Sequence, residues 1–329
     1  MYRVGLLGLE GHQGVVLDGI VRRTDACLGA VASENAEAIE QLRQHPAVTA
    51  ETRFYSDWRE LLARETLDIA TVCSINSLHA PMLKAAADRG LHIISEKPLT
   101  LSLADLADVR RAVEAAGVRL SMLLTMRCEP CYRAVAEAVW AGRIGKPVLA
   151  TASKSYRLGE RPLWQRRRET FGGTIPFANI HTIDLLRWTT RCEFVECQAY
   201  HGNAGKPEAE EMEDHAVAIF RMDNGGVAVS QQDYLRPAAA ESHGEVFLRI
   251  AGSDGVIEVL DNERRVCATT TTEPTRELPL PPAADYLADF LDSIEGKHDH
   301  LISQEDCFRV TEISLKALEA ARTGRAVQC

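Results

Sequence analysis

The first 124 residues alternate short apolar runs with amphipathic stretches, a pattern that leaves this part of the chain very few folds to adopt. Residues 4–9 form an apolar run, with glycines at 8, 11 and 14, and Val15, Val16, Leu17, Ile20 and Val21 follow at helical spacing. This predicts a strand, a tight turn and a helix. Residues 28–32 repeat the apolar run and close at Ser33, with helix-favouring residues over 36–42. Residues 54–62 hold a short strand and a helix opened by Asp57, 67–74 a buried strand, and 79–89 a helix ended by Gly90. Residues 92–95 are the next strand, 103–116 a helix stopped by Gly117, and 118–124 the last strand. Strands alternating with helices predict a doubly wound parallel α/β sheet over residues 1–125.

Several function classes are excluded by simple properties of the chain. At 329 residues it is long for one core and comfortable for two domains. A net charge of −10 argues against nucleic acid as a partner, since phosphate binding with counterion release needs a basic surface. Nine cysteines without regular spacing fit reduced thiols better than a disulfide framework, and no apolar run approaches the ~18 residues of a membrane span. The expectation is a cytoplasmic protein with small-molecule partners and no membrane partner.

The chemistry-bearing positions cluster at predicted strand ends, where open parallel sheets bind ligands. Lys97 follows the apolar strand 92–95 between Glu96 and the turn-forming Pro98, so it projects into the crevice rather than the core. The turn GLEGHQG is not a GxGxxG motif, because Glu10 and Gln13 stand where the second and third glycines would be. A turn one residue longer would let Gly11 approach a pyrophosphate and Gly14 pack closely, with the helix N-terminus offering its N–H groups and Glu10 pointing away. Ser33 stands where an acid would grip the ribose of NAD; it leaves room for a 2′-phosphate, yet Glu34 follows it and no arginine does. The cofactor is therefore NAD or NADP.

With Cys73-Ser74-Ile75-Asn76-Ser77-Leu78-His79 and then Glu96-Lys97-Pro98, the chain resembles the Gfo/Idh/MocA family of NAD(P)-dependent oxidoreductases. Arg127 and Pro130, the segment GRIGKP over 142–147, Gly172-Gly173-Thr174 leading to His181, Asp214, Gly252-Ser253-Asp254-Gly255 and the segment ARTGR over 321–325 extend the resemblance along the chain. The resemblance implies a second, α+β domain over 126–329, built on a large, open, mostly antiparallel sheet that serves substrate binding and assembly into a homodimer or homotetramer. Strand-like segments at 148–156, 193–200, 215–222, 226–234, 245–251 and 256–260 agree with it, as do closing helices at 285–295 and 304–322.

The resemblance also implies the site. Lys97 and His181 are the expected catalytic pair, the first as the cation for a developing alkoxide and the second as the base. Expected around the cofactor are Gly8, Gly11, His12, Gly14, Ser33, Glu34, Ser74, Ile75, Asn76, His79, Glu96, Lys97 and Arg127. Tyr156, Trp164, Asn179, His181, Asp184 and Tyr234 are the candidates for the substrate wall. In the family an aspartate stands four residues before the histidine; here that position is Phe177. Asp184, one turn after His181, could orient the imidazole instead. No metal site is expected, because Cys128 and Cys131 lack a second ligand pair. The implied activity is hydride transfer to or from a sugar, cyclitol or related polyol. Phe177 keeps two alternatives open: a redox-neutral lyase or glycosidase that recycles bound NAD, and a sensor that binds NAD(P) without turnover.

Overall fold

In a computed structural model describing residues 1–209 and 211–329, six parallel strands carry the N-terminal part of the chain. They are β1 (Tyr2–Leu7), β2 (Ala26–Ala32), β3 (Arg53–Tyr55), β4 (Ile69–Val72), β5 (His92–Ser95) and β6 (Leu120–Met122), in the spatial order β3-β2-β1-β4-β5-β6. Helices α1 (Gly14–Val21), α2 (Ala36–Leu42), α3 (Trp58–Arg64), α4 (His79–Asp88) and α5 (Leu103–Ala116) make the crossovers. Local chemistry sets their ends: the side chains of Asn35, Asp57 and Ser102 accept backbone N–H groups at three helix starts, and Gly117 closes α5 with φ of 65°. The order reverses between β1 and β4, the point where a doubly wound sheet opens its ligand crevice.

This first unit comprises Met1–Leu123 together with Asp285–Phe308. The later segment was expected with the second domain, and three contacts explain its position. The Tyr286 hydroxyl donates to Ser121 Oγ at 2.7 Å, Arg22 Nε donates to Asp285 at 2.7 Å, and Leu287 packs where Gly19 has no side chain. A Cβ on Gly19 would lie 2.6 Å from the Cβ of Leu287. Helical periodicity marks the helix Tyr286–Ile294 but does not name the surface it covers.

The second unit, Leu124–Ala284 with Arg309–Cys329, is a nine-stranded sheet backed by helices. Its elements are α6 (Pro130–Trp140), β7 (Pro147–Tyr156), α7 (Arg168–Phe171), α8 (Ile180–Thr190), β8 (Phe194–Gly202), β9 (His215–Met222), β10 (Val227–Asp233), β11 (Gly244–Gly252), β12 (Gly255–Leu260), β13 (Arg265–Thr270), β14 (Arg276–Glu277) and β15 (Val327–Gln328). All pairings are antiparallel except β7 with β10. Side chains alternate as the pleat requires: Ala150, Ala152 and Lys154 of β7 and Ala228, Ser230 and Gln232 of β10 are buried on the inner face. Five residues, Ile175–Asn179, form one wide π-helical turn on the way into α8. Helix α6 and strand β13 were not anticipated.

Candidate active site

Within the first unit, the ends of β1, β2 and β4 open onto a cleft lined by Gly8, Ser33, Glu34, Ser74 and Ile75, all expected there. Gly8 has φ of +90°, and a Cβ on it would lie 2.5 Å from the carbonyl oxygen of Cys73, so only glycine makes this turn. Glu10, Ser56, Trp58 and Arg59 also line it. Glu10, expected to face away, thus lies in the cleft wall, and burial pushes its carboxyl above the usual range. Arg59 supplies the arginine that does not follow Ser33; it comes from the first turn of α3 with its guanidinium 4.4 Å from the Trp58 ring centroid. Asp57 as a helix cap placed Arg59 in a first turn, but chain order alone could not join that turn to β2.

The glycine turn is satisfied by its own side chains and by Glu96. Leu9 N–H donates to the Glu10 carboxylate at 2.9 Å, Gly11 N–H to Gln13 Oε1 at 3.2 Å, and His12 N–H to Glu96. The close approach at Gly11 is therefore that of Glu96, whose Cγ lies 2.4 Å from where a Cβ would stand. Gly14 corrects another expectation, because nothing lies within 4 Å of its missing side chain. The close packing falls on Gly19 instead.

Glu96 and Lys97 are both buried at the end of β5. Burial would raise the Glu96 carboxyl, yet the hydrogen bond from His12 and then the charge of Lys97 bring it down to about 2. Glu96 is thus a carboxylate, with His12 Nδ1 at 2.5 Å and the backbone N–H of Lys97 at 3.0 Å. The next peptide bond, Lys97–Pro98, is cis. His79, expected beside the cofactor, is fully buried and ties two strand-end loops together, with Nδ1 2.7 Å from the Pro98 carbonyl oxygen and Nε2 2.9 Å from that of Ser74. Burial lowers its pKa against these two acceptors. Asn76 is also buried, in the short helical turn after β4.

The second unit holds the other candidates. His181 begins α8 and is buried, with Asn179 two residues before it, also buried. Arg127 and Asp184, expected near the cofactor and beside His181, are paired with each other. The guanidinium, foreseen near the cofactor, lies in the interior of this unit, with Nε donating to Asp184 Oδ2 at 2.9 Å and Nη2 to Oδ1 at 2.6 Å. Both oxygens of Asp184 are thereby engaged by arginine. Phe177 packs its ring 4.8 Å from Phe171 and 6.2 Å from Trp164, within a cluster that includes Ala178, Met212 and Tyr234. The chain has thus placed an aromatic side chain in an aromatic setting. Tyr156 stacks between Tyr234 and His243, with ring centroids 6.4 and 5.6 Å away. The arginine run 166–168 is structural at Arg168, which pairs with the buried Glu213 at 2.6 Å.

A six-stranded parallel sheet with a polar cleft at its switch point, followed by a largely antiparallel second unit, is the architecture of a two-part nucleotide-binding protein. The N-terminal residues 2–124 match the model of the oxidoreductase family with an NAD-binding Rossmann fold, and residues 132–258 match the GFO/IDH/MocA C-terminal domain. The chain belongs to the Gfo/Idh/MocA family and is an NAD(P)-dependent oxidoreductase. It is 27% identical to the 1,5-anhydro-D-fructose reductase of Ensifer adhaerens, over 100% of this chain and 98% of the relative. It is 30% identical to the inositol 2-dehydrogenase of Paracoccus denitrificans, over 77% and 72% of the two chains. The solved structure of an oxidoreductase from Thermotoga maritima superposes with a TM-score of 0.93 at 30% identity, covering 99% of this chain and 100% of that one.

The lining of the cleft is chemically suited to part of a dinucleotide. Ser33, Glu34, Ser56 and Ser74 offer the acceptors and donors that a ribose needs, and the bare Gly8 lets the backbone pass beneath.

Proposed function

We propose that the protein interconverts a secondary alcohol and a carbonyl on a sugar, cyclitol or related polyol. The observation that carries this is Lys97, buried at the end of a central parallel strand beside the ionised Glu96. A cation held there suits the developing negative charge on a reacting oxygen. The nicotinamide ring, when bound, supplies the hydride acceptor or donor. Lys97 polarises the reacting oxygen, and His181 exchanges its proton. The names of the relatives, anhydrofructose reductase and inositol dehydrogenase, support the substrate class.

The test is turnover by the purified protein with 1,5-anhydro-D-fructose, myo-inositol and D-xylose and with each cofactor. Lys97→Met is expected to lower kcat by roughly 10²- to 10⁴-fold while dinucleotide binding is retained. Unchanged activity would remove Lys97 from the chemistry.

A second reading rests on Phe177. Because no acid stands at this position, a redox-neutral reaction that regenerates the bound cofactor is the alternative, and it predicts product without accumulation of reduced dinucleotide. The outer face of the nine-stranded sheet exposes Tyr200, Ile219 and Phe247, which supports a homodimer or homotetramer. Nine free thiols, seven of them buried, support a cytoplasmic location.

A further inference from the structure

Two buried amides in the second unit each donate one hydrogen bond to a protein acceptor and leave their own acceptor oxygen unanswered. Asn179 Nδ2 lies 3.1 Å from Ser230 Oγ, Ser230 Oγ lies 2.6 Å from Thr182 Oγ1, and the Thr182 hydroxyl donates to the Asn179 backbone carbonyl at 2.9 Å. Counting protons fixes the direction of this ring. Thr182 has spent its only hydrogen on the carbonyl, so it accepts from Ser230; Ser230 has then spent its own and must accept from Asn179. The amide orientation of Asn179 follows, and its Oδ1 is left buried without a partner.

Gln232 repeats the arrangement one step along the same face of β10. Its Nε2 donates to the Asp233 carbonyl at 2.9 Å, which fixes the amide, and its Oε1 is likewise buried and unpartnered. The Tyr234 hydroxyl, on the same side of the chain, is a third buried polar atom without a partner. Orphaned buried acceptors are costly unless something else answers them. Two acceptors call for two donors. A substrate ammonium is disfavoured, because the register partner of Gln232 on β7 is Lys154, a buried cation on the same face.

We infer that Asn179 Oδ1 and Gln232 Oε1 form a paired acceptor site that takes the hydrogens of two neighbouring hydroxyls of a neutral polyol. The inference rests on the polyol reading above and narrows it to a substrate with a diol facing α8 and β10. Asn179 and Tyr234 were candidates from the sequence; Gln232 was not, since a glutamine in an alternating strand carries no signal of which face is buried against what.

The test is isothermal titration of the NADH-saturated protein with myo-inositol, 1,5-anhydro-D-glucitol and D-xylose, followed by monodeoxy analogues of the tightest binder. Gln232→Met, close to isosteric, is expected to weaken that polyol roughly 10- to 100-fold and to leave NADH binding unchanged. Removing the matching hydroxyl from the polyol should cost the wild-type protein a similar factor and the variant nothing more. Equal binding by wild type and variant, deoxy losses of equal size in both, or no polyol binding by the wild type would overturn the site. Should Gln232→Met fail to fold, the wild-type deoxy series decides alone: losses confined to two adjacent hydroxyls uphold the pair, and losses without positional preference overturn it. Binding that depends on Gln232 without turnover would uphold the acceptor pair and defeat the redox reading. Turnover indifferent to Gln232 would do the reverse.

Discussion

Arg127 grips Asp184 through two parallel hydrogen bonds of 2.9 and 2.6 Å, with the two side chains 1% and 2% exposed. A pair so deeply buried is costly to break from one side, because the remaining charge has no water to turn to. Asp184→Asn or Arg127→Met is expected to lower stability by about 3–5 kcal/mol in urea unfolding. Arg127→Met should leave dinucleotide affinity near wild type in fluorescence titration. A large loss of affinity at unchanged stability would return Arg127 to the cofactor.

Glu96 makes the protein sensitive to acid. Its pKa is about 2 in the folded chain against 4.5 for the free side chain, so folding favours the ionised form. The stability this contributes is complete above about 4.5 and is lost as the pH falls toward 2, by about 3 kcal/mol at most. Glu96→Gln should remove that part of the slope. Urea midpoints measured from neutral pH down to the acid limit would show it, and parallel curves for the two proteins would contradict it.

The glycines of the first helix should behave in opposite ways. Gly19→Ala puts a methyl 2.6 Å from Leu287 Cβ, and overpacking of this kind costs about 1–3 kcal/mol. Gly14→Ala meets nothing within 4 Å at the start of the same helix and should gain about 0.5 kcal/mol. Thermal midpoints falling for the first and rising slightly for the second are the expected pair of results.

Phe177→Asp would restore the residue type that the family resemblance implies, but not its setting. The carboxylate would replace a ring packed on Phe171 and Trp164, so a loss of about 2–4 kcal/mol is expected with no gain in kcat. A rise in kcat at wild-type stability would show that the pocket still accommodates the acid.

The Rossmann half was legible because each of its elements carries its own signal. The run 36–42 between a capping Asn35 and polar residues became α2, and 103–116 between Ser102 and Gly117 became α5, since caps and periodicity act within a few residues. Strands 4–9, 67–74 and 118–124 were read too long at their C-terminal ends, where Gly8, Ser74 and Leu123 have already left the ladder. Helix α6 was missed although Pro130 stands at its first turn, and β13 was missed because its partners β12 and β14 set its extent.

The sequence by itself determined the alternating parallel fold, the family, and the strand-end position of Lys97 beside Glu96, because these depend on periodicity, turn chemistry and short spacings. Only the tertiary structure decided what each polar group faces. It turned Glu96 onto the glycine turn, brought Arg59 to the cleft of Ser33, gave Arg127 to Asp184, and seated Phe177 among aromatic rings. The reason is physical: a charge or an amide is satisfied by whatever lies within about 3 Å, and that neighbour can stand anywhere along the chain.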